Sequence, residues 1–205
     1  MGKSYFKVNI IKIINGYKVK TILITLKDIT EEGGGERVVV NLANAFISMG
    51  YNVVILSFYK KNQSLFYSLD SRVILIFLSS YSLVNANIFK KFYLKIIYRY
   101  FLCFKINKFI RYYKTQVVVA NDGWFVPLFK IIGIKYIRIW HLKAPKKKRF
   151  NLFFFHTLVI LSNKEISLFK KLHPNIKVIP NFIPEIPLEV SNLDNNNVLS
   201  VGRMD

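Results

Sequence analysis

The sequence predicts an α/β fold, a doubly wound parallel sheet with helices on both faces. Short runs of aliphatic and β-branched residues alternate with longer mixed segments, which is the pattern of βαβ units. The first run, residues 20–26, is almost continuously apolar, as a strand buried on both faces requires. A chain of 205 residues with 52% hydrophobic and 20% charged residues is long enough for one substantial globular domain.

The predicted elements follow one another in a regular order. A loop over 27–35 and a helix over 36–49 follow the first strand, and Gly50 is placed to end that helix in a left-handed conformation. Further helices are predicted at 87–114, 124–132 and 163–172. Further strands are predicted at 53–58, 72–78, 116–120, 135–141, 157–161 and 176–179, the last of them ended by Pro180.

Three parts of the chain differ in composition. Residues 1–19 are predicted to be an N-terminal extension, and residues 20–181 form the predicted sheet domain. From residue 182 onwards, prolines and the run Asp194-Asn195-Asn196-Asn197 indicate a linker. One more strand is predicted at 198–201, and it runs into a turn with Gly202 and Arg203. We expect this strand to be the first element of a second domain, the rest of which the sequence lacks.

The charge of the chain is strongly positive. Lysine and arginine number 31 against 11 acids, a net charge of +20. An anionic partner is therefore expected: nucleic acid, anionic lipid or a phosphorylated small molecule. The one cysteine, Cys103, cannot form an internal disulfide, and no secretory or membrane-spanning segment is visible. We expect a cytoplasmic protein, peripheral on the inner face of the membrane.

Three consecutive glycines precede the first predicted helix. Gly33, Gly34 and Gly35 allow a phosphate to approach the backbone amides at the helix N-terminus. A flexible loop that merely enters a helix is the alternative interpretation. A dinucleotide fingerprint does not fit, because Val38 occupies its third small position and no acid ends the second strand. This disfavours a sugar-nucleotide epimerase or dehydrogenase.

A histidine ends the fifth predicted strand, where ligands of open α/β sheets bind. His141 suits proton handling or a hydrogen bond to substrate, although a lone histidine is more often structural. Asn121 and Asp122 end the fourth strand at the same edge, with the same two interpretations. His156 and His173 have no Cys or acid at metal-ligand spacing, so no metal site is predicted.

A basic and aromatic segment fills residues 87–114, without a single acid. Lysine and arginine near an anionic bilayer favour binding, and aromatic rings favour its interface. Lys90, Lys91, Lys95 and Arg99 are the predicted membrane contacts. A solvated surface helix, its charge inflated by coding bias, is the alternative. No nucleic acid partner is expected, because no helix-turn-helix, RNA-recognition or zinc signature accompanies the charge.

Six short motifs together resemble the N-terminal half of GT-B glycosyltransferases of family 4. They cover about residues 20–205 in one order: Gly-Gly-Gly-Glu-Arg at 33–37, Gly-Tyr-Asn-Val at 50–53, His141 at a strand end, Leu-Ser-Asn-Lys-Glu at 161–165, Val-Ile-Pro-Asn-Phe-Ile at 178–183, and Val-Leu-Ser-Val-Gly-Arg at 198–203. The family pattern continues with a lysine and a Glu-x7-Glu segment, both of which lie beyond residue 205.

The resemblance implies two Rossmann-like domains that face each other across a cleft, the first for the acceptor and the second for a nucleotide-sugar donor. It implies that Gly33, Gly34 and Gly35 line the cleft, that His141 lies beside the transferred sugar, and that Gly202 and Arg203 belong to the donor diphosphate site. It also implies transfer with retention of configuration and without a bound metal.

The sequence therefore predicts a retaining glycosyltransferase that acts on a membrane-linked or glycan acceptor in cell-surface polysaccharide, lipopolysaccharide or glycoprotein assembly. Because most of the donor-binding domain is missing from the sequence, we expect the chain alone to be an inactive fragment. The alternative is a noncatalytic basic module of Rossmann-like fold that binds membrane or nucleic acid.

Overall fold

A computed structural model describes residues 20–79, 87–145, 147 and 149–181. Within these residues, one sheet is formed by β1 (Thr21–Leu26), β2 (Asn52–Ser57), β3 (Ile74–Phe77), β4 (Val117–Ala120), β5 (Lys135–Trp140), β6 (Thr157–Ile160) and β7 (Ile176–Val178). The strand order is β3-β2-β1-β4-β5-β6-β7, and every pair is parallel. The predicted Rossmann-like sheet and its seven strands are confirmed.

Helices cover both faces of the sheet, which makes it doubly wound. Helix α1 (Gly34–Ser48) buries Val39, Leu42, Ala43 and Phe46 against the face that carries Ile22, Ile24 and Ile55. Helices α2 (Ile88–Tyr93) and α3 (Arg99–Tyr112) are joined by a π-helical segment, Leu94–Tyr98. The opposite face of the sheet packs against four residues of α3: Leu102, Cys103, Ile106 and Ile110.

Shorter helices complete the C-terminal part of the described chain. Two 3-10 segments span Phe150–Phe154 and Asn163–Glu165, and the second leads directly into helix α4 (Ile166–Lys170). The predicted helix at 163–172 is therefore a 3-10 turn followed by a short α-helix. Gly50 follows α1 with φ of 84°, so the predicted left-handed helix end is confirmed.

One predicted helix is wrong. Residues 124–132 contain only bends, turns and irregular backbone. Pro127 lacks a backbone N–H and disfavours helical geometry at the residue before it. Phe125 is buried, 6.3 Å from the Tyr136 ring and 6.5 Å from the Phe155 ring between centroids. Tertiary packing of this aromatic side chain therefore holds the segment as a loop across the sheet edge.

Of the helices that the structure describes, none combines the length and the apolar character needed to cross a bilayer. The predicted N-terminal extension, 1–19, and the predicted strand at 198–201 lie outside the described residues.

Candidate active site

A cavity of about 730 Å³ opens at the carboxyl ends of the central strands. The strand order reverses between β1 and β4, and the loops that follow these strands diverge at that point, where open α/β sheets bind ligands. Charged and polar groups line much of the cavity: Lys27, Glu36, Arg99, Asn121, Asp122, Arg138, His141, Arg149 and Asn151. Aromatic rings of Trp124, Phe125, Trp140 and Phe155 form other parts of its wall.

A hydrogen-bonded chain joins the predicted histidine to the glycine segment. His141 Nε2 lies 2.9 Å from Asn121 Oδ1, and Asn121 Nδ2 donates to the Gly35 carbonyl at 3.1 Å. Asn121 is buried and directly follows β4, whereas His141 is half-buried and directly follows β5. The parallel sheet thus brings together two predicted site features that lie 106 positions apart (141 − 35) in the sequence.

The orientation of Asn121 determines the tautomer of His141. Because the Asn121 amide nitrogen is engaged by a carbonyl, its oxygen faces the imidazole and must accept from Nε2–H. Nδ1 is then the acceptor of a neutral ring. Burial lowers the pKa of His141 below 6.5, and the positive charge of Arg138 lowers this pKa further. At neutral pH the cavity therefore holds an uncharged imidazole with one available acceptor nitrogen.

We expect the His141 ring resonances to titrate with a midpoint below 6.5 in an NMR pH series. As pH falls below 6.5, the unfolded chain binds a proton at His141 before the folded chain does. Protonation of His141 therefore lowers the free energy of unfolding between pH 6.5 and the lower pKa of the folded state. Arg138→Gln should move the midpoint upward, while Lys147→Gln, at an exposed position outside the cavity, should leave it unchanged. A midpoint at or above 6.5 would contradict this electrostatic description.

The three glycines form the N-terminus of α1. Gly33 is the N-cap in extended conformation, and its carbonyl accepts from the Tyr67 hydroxyl at 3.2 Å. A Cβ on Gly34 would meet nothing within 4 Å, so space is open beside the backbone there. A Cβ on Gly33 would lie 2.2 Å from Glu36 Oε2 and would displace that carboxylate. Burial raises the pKa of Glu36.

A carboxylate supports the loops on both sides of Asn121. Asp122 accepts a hydrogen bond from the Lys27 backbone N–H, and its Oδ1 accepts from the Trp124 backbone N–H at 2.9 Å. Burial raises the pKa of Asp122, while these hydrogen bonds and the Arg138 guanidinium oppose that rise. Asp122 thereby ties the loop after β1 to the loop after β4.

The predicted site residues have different positions in the structure. His141 lines the cavity, and the Gly35 carbonyl accepts a hydrogen bond from the cavity residue Asn121. Arg99, predicted as a membrane contact, lines the cavity, with its guanidinium carbon 5.7 Å from the Trp124 ring centroid. Whether it also reaches a membrane stays a prediction. Gly202 and Arg203 lie outside the described residues, as do the side chains of Lys90, Lys91 and Lys95.

The remaining candidate groups have structural partners. Cys103 is buried, its thiol donates to the Trp124 carbonyl, and burial raises its pKa to about 11, which disfavours a reactive thiolate. His156 Nδ1 accepts from the Tyr136 N–H at 3.0 Å, and both ring nitrogens of His173 lie near backbone carbonyls. In the described part of the chain, no three His, Cys, Asp or Glu side chains group as metal ligands.

Sequence reasoning missed Arg138, Arg149 and Asn151. Arg138 carried a usable signal, because it is a charge in the middle of an apolar run, Tyr-Ile-Arg-Ile-Trp, that has to be a central strand. A buried charge is costly, so such a residue marks a functional position more often than a structural one. Arg149 and Asn151 had no such signal, because Arg149 ends a run of four basic residues and Asn151 is a single polar residue in the aromatic run that follows it.

The chain is similar in structure to a glycosyltransferase from Rickettsia africae ESF-5, with 18% identity and a TM-score of 0.51 over 80% of this chain and 43% of that one. The likeness is one of fold. It shows that the parallel sheet described above is also the architecture of part of that enzyme. No protein-family model matches this chain, and no curated protein matches it in sequence.

Two further solved structures match with TM-scores below 0.5. One is WaaG, a glycosyltransferase involved in lipopolysaccharide biosynthesis, at 14% identity and TM-score 0.47 over 77% of this chain and 44% of that chain. The other is UGT89C1 from Arabidopsis thaliana, complexed with UDP, at 11% identity and TM-score 0.46 over 82% and 50%. The chain spans half or less of the length of the three solved chains.

Proposed function

We propose that this chain forms the acceptor-side domain of a retaining GT-B glycosyltransferase that uses a nucleotide-sugar donor. One observation carries the proposal: His141, Asn121 and Gly35 form a hydrogen-bonded chain at the carboxyl edge of a Rossmann-like sheet. His141 and the glycine segment are the features that the resemblance to family 4 places in the cleft, and they meet beside a cavity large enough for a sugar.

Each element of the site has a role in this proposal. The open backbone at Gly34 and the N-terminus of α1 suit the approach of an anionic group. His141 Nδ1, on a neutral ring, suits a hydrogen bond from a hydroxyl of the transferred sugar. The donor diphosphate is held by a second domain, to which Gly202 and Arg203 belong. No metal is required, because arginine and helix dipoles stabilise the leaving diphosphate.

A chimeric enzyme tests this function. The chain is joined to the donor-binding half of a GT-B glycosyltransferase, because it spans only about half the length of the solved enzymes it matches. Release of nucleotide diphosphate is measured with a panel of nucleotide-sugars and glycan acceptors. We expect transfer by the chimera and none by the donor-binding half alone. Chimeras that fold and bind donor but transfer nothing would contradict the proposal.

We also propose that the surface formed by α2, the π-helical segment and the start of α3 contacts an anionic membrane. Large apolar side chains on it are exposed, among them Phe89 at 86% and the less exposed Phe92, Ile97, Phe101 and Phe104. Exposed aromatic and aliphatic groups in a segment whose sequence is rich in lysine suit insertion at the lipid interface. The acceptor would then be a lipid-linked or membrane-associated glycan.

Binding to phosphatidylserine-containing vesicles is expected to weaken roughly a hundredfold when Lys90, Lys91 and Lys95 are all replaced by glutamine, at about 1 kcal/mol per lysine. Arg99 is left intact because it lines the cavity. The matched control replaces the exposed Lys61, Lys164 and Lys170, which changes net charge equally. Equal losses in the two triple variants, measured by vesicle co-sedimentation, would exclude this surface. Vesicle binding by an inactive chimera would favour a noncatalytic membrane module.

A further inference from the structure

Three guanidinium groups from separate parts of the chain line the same cavity. Arg99 begins α3, Arg138 lies on β5, and Arg149 precedes the 3-10 segment Phe150–Phe154. Arg138 is only 7% exposed. Burial lowers its pKa to about 10, Asp122 opposes this effect, and repulsion from Arg149 and Arg99 adds to it. The cavity therefore concentrates more positive charge than its own carboxylates neutralise.

Hydrogen-bonding capacity in this cavity is left unused. Among the described residues, five buried side-chain atoms lack a hydrogen-bond partner, and three of them belong to residues that line the cavity: Arg99 Nε, Arg138 Nη1 and Asn151 Oδ1. An unpaired buried group destabilises a fold, and a charged one does so more strongly. Their concentration in one cavity indicates that a ligand supplies the missing partners.

Tryptophan rings hold these arginines in place. The guanidinium carbons of Arg138 and Arg149 lie 5.7 and 5.5 Å from the centroid of the Trp140 ring. Arg99 lies in the same way against Trp124. Cation–π contacts at this distance fix the positions of the guanidinium groups before a ligand arrives, which lowers the entropy lost on binding.

We propose that this cavity binds the phosphate group of a phosphorylated sugar, which is the acceptor of the transferase proposed above. Guanidinium groups donate paired hydrogen bonds to phosphate oxygens, and three of them exceed what a single carboxylate of a sugar acid would need. Asn151 Oδ1 is an acceptor, so its partner is a donor, and a sugar hydroxyl meets that need.

The test measures binding of inorganic phosphate, glucose 6-phosphate, glucose and UDP to the full chain by calorimetry at low salt. We expect glucose 6-phosphate to bind more tightly than glucose and than UDP. Arg149 is exposed and its side chain is not part of the hydrophobic core, so Arg149→Gln should leave the fold intact. It should weaken the binding of glucose 6-phosphate by about tenfold. The matched control Lys147→Gln removes the same charge two positions away, outside the cavity, and should change binding less than about twofold.

A second variant separates binding from stability. Arg138→Met leaves the buried Asp122 carboxylate without its opposing charge, so its urea midpoint should fall, and the urea curve shows whether the variant is folded under the conditions in which glucose 6-phosphate binding is expected to fall at least about tenfold. Should this variant fail to fold, the Arg149 comparison decides. Equal effects of Arg149→Gln and Lys147→Gln, or no phosphate binding at all, would overturn the proposal. Tighter binding of UDP would assign the arginines to the donor and overturn it as well.

Failure of this inference is distinguishable from failure of the proposed function. If the chain binds glucose 6-phosphate through Arg149 but the chimera transfers no sugar, the phosphate site is supported and the transferase function is contradicted. A chimera that glycosylates only neutral acceptors, with no phosphate binding by the chain, keeps the transferase and loses the phosphate site.

Discussion

Replacing His141 by alanine in the active chimera is expected to lower the rate of sugar transfer by about 100- to 1,000-fold, the usual cost of removing one well-placed polar group from an active site. The imidazole is held by Asn121 and kept neutral by burial and by Arg138, so alanine removes an acceptor that no neighbour replaces. The measurement is the initial rate of nucleotide diphosphate release at saturating donor and acceptor.

Two further variants make the His141 result specific. Asn121→Ala removes the group that positions the imidazole. It should lower the rate of sugar transfer less than His141→Ala does, mainly through kcat. His156→Asn keeps an acceptor for the Tyr136 N–H at a histidine outside the cavity and should act like the wild type. Undiminished transfer by the folded His141→Ala chimera would show that the histidine has no role in the reaction.

Loss of the Asp122 carboxylate should give the largest change in stability. Asp122→Ala leaves two backbone N–H groups, those of Lys27 and Trp124, without their acceptor and removes a negative charge that interacts favourably with Arg138. We expect the free energy of unfolding to fall by about 3–5 kcal/mol, as when one member of a buried charged network is removed. Urea unfolding followed by circular dichroism measures this difference.

Asp122→Asn provides the graded comparison, because the amide oxygen keeps one of the two acceptors. The free energy of unfolding should fall less in this variant than in Asp122→Ala. The matched control is Glu32→Ala, which removes one carboxylate from an exposed position in the loop after β1 and should change stability by less than about 0.5 kcal/mol. Equal stabilities of the Asp122→Ala and Glu32→Ala variants would show that the carboxylate does not hold the two loops together.

The sheet could be predicted because its physical signals are local. A strand buried on both faces has to be apolar along its whole length, and residues 20–26 and 53–58 show this directly. The end of α1 was equally readable, since Gly50 adopts the positive φ that other residues avoid. The position of His141 followed from the rule that ligands bind at the carboxyl ends of parallel strands.

What the sequence did not reveal depends on which side chains meet in space. The segment 124–132 has enough apolar residues for a helix, but burial of Phe125 against Tyr136 and Phe155 decides its path. Arg99 belongs to a basic helix whose periodicity does not show which residue turns inward. The hydrogen bond between Asn121 and His141 could not be predicted, because a strand end places two residues at one edge without orienting them.

The central strand pair has a consequence for how the chain reaches this state. Gln116 Oε1 accepts from the backbone N–H groups of Lys20 and Thr21, which lie 96 and 95 residues earlier, and the bond from Asn121 to Gly35 spans 86 residues. Closing such loops costs entropy before the new contacts can repay it, which slows folding. β1 and β2 can pair while β4 is still unordered. The hydrogen bonds that join His141, Asn121 and Gly35, and the wall of the cavity, cannot form until β4 is in place. During synthesis, β1 and β2 are therefore expected to emerge before their partners β4 and β5. The site forms only when β4 has paired with β1 and β5 has paired with β4.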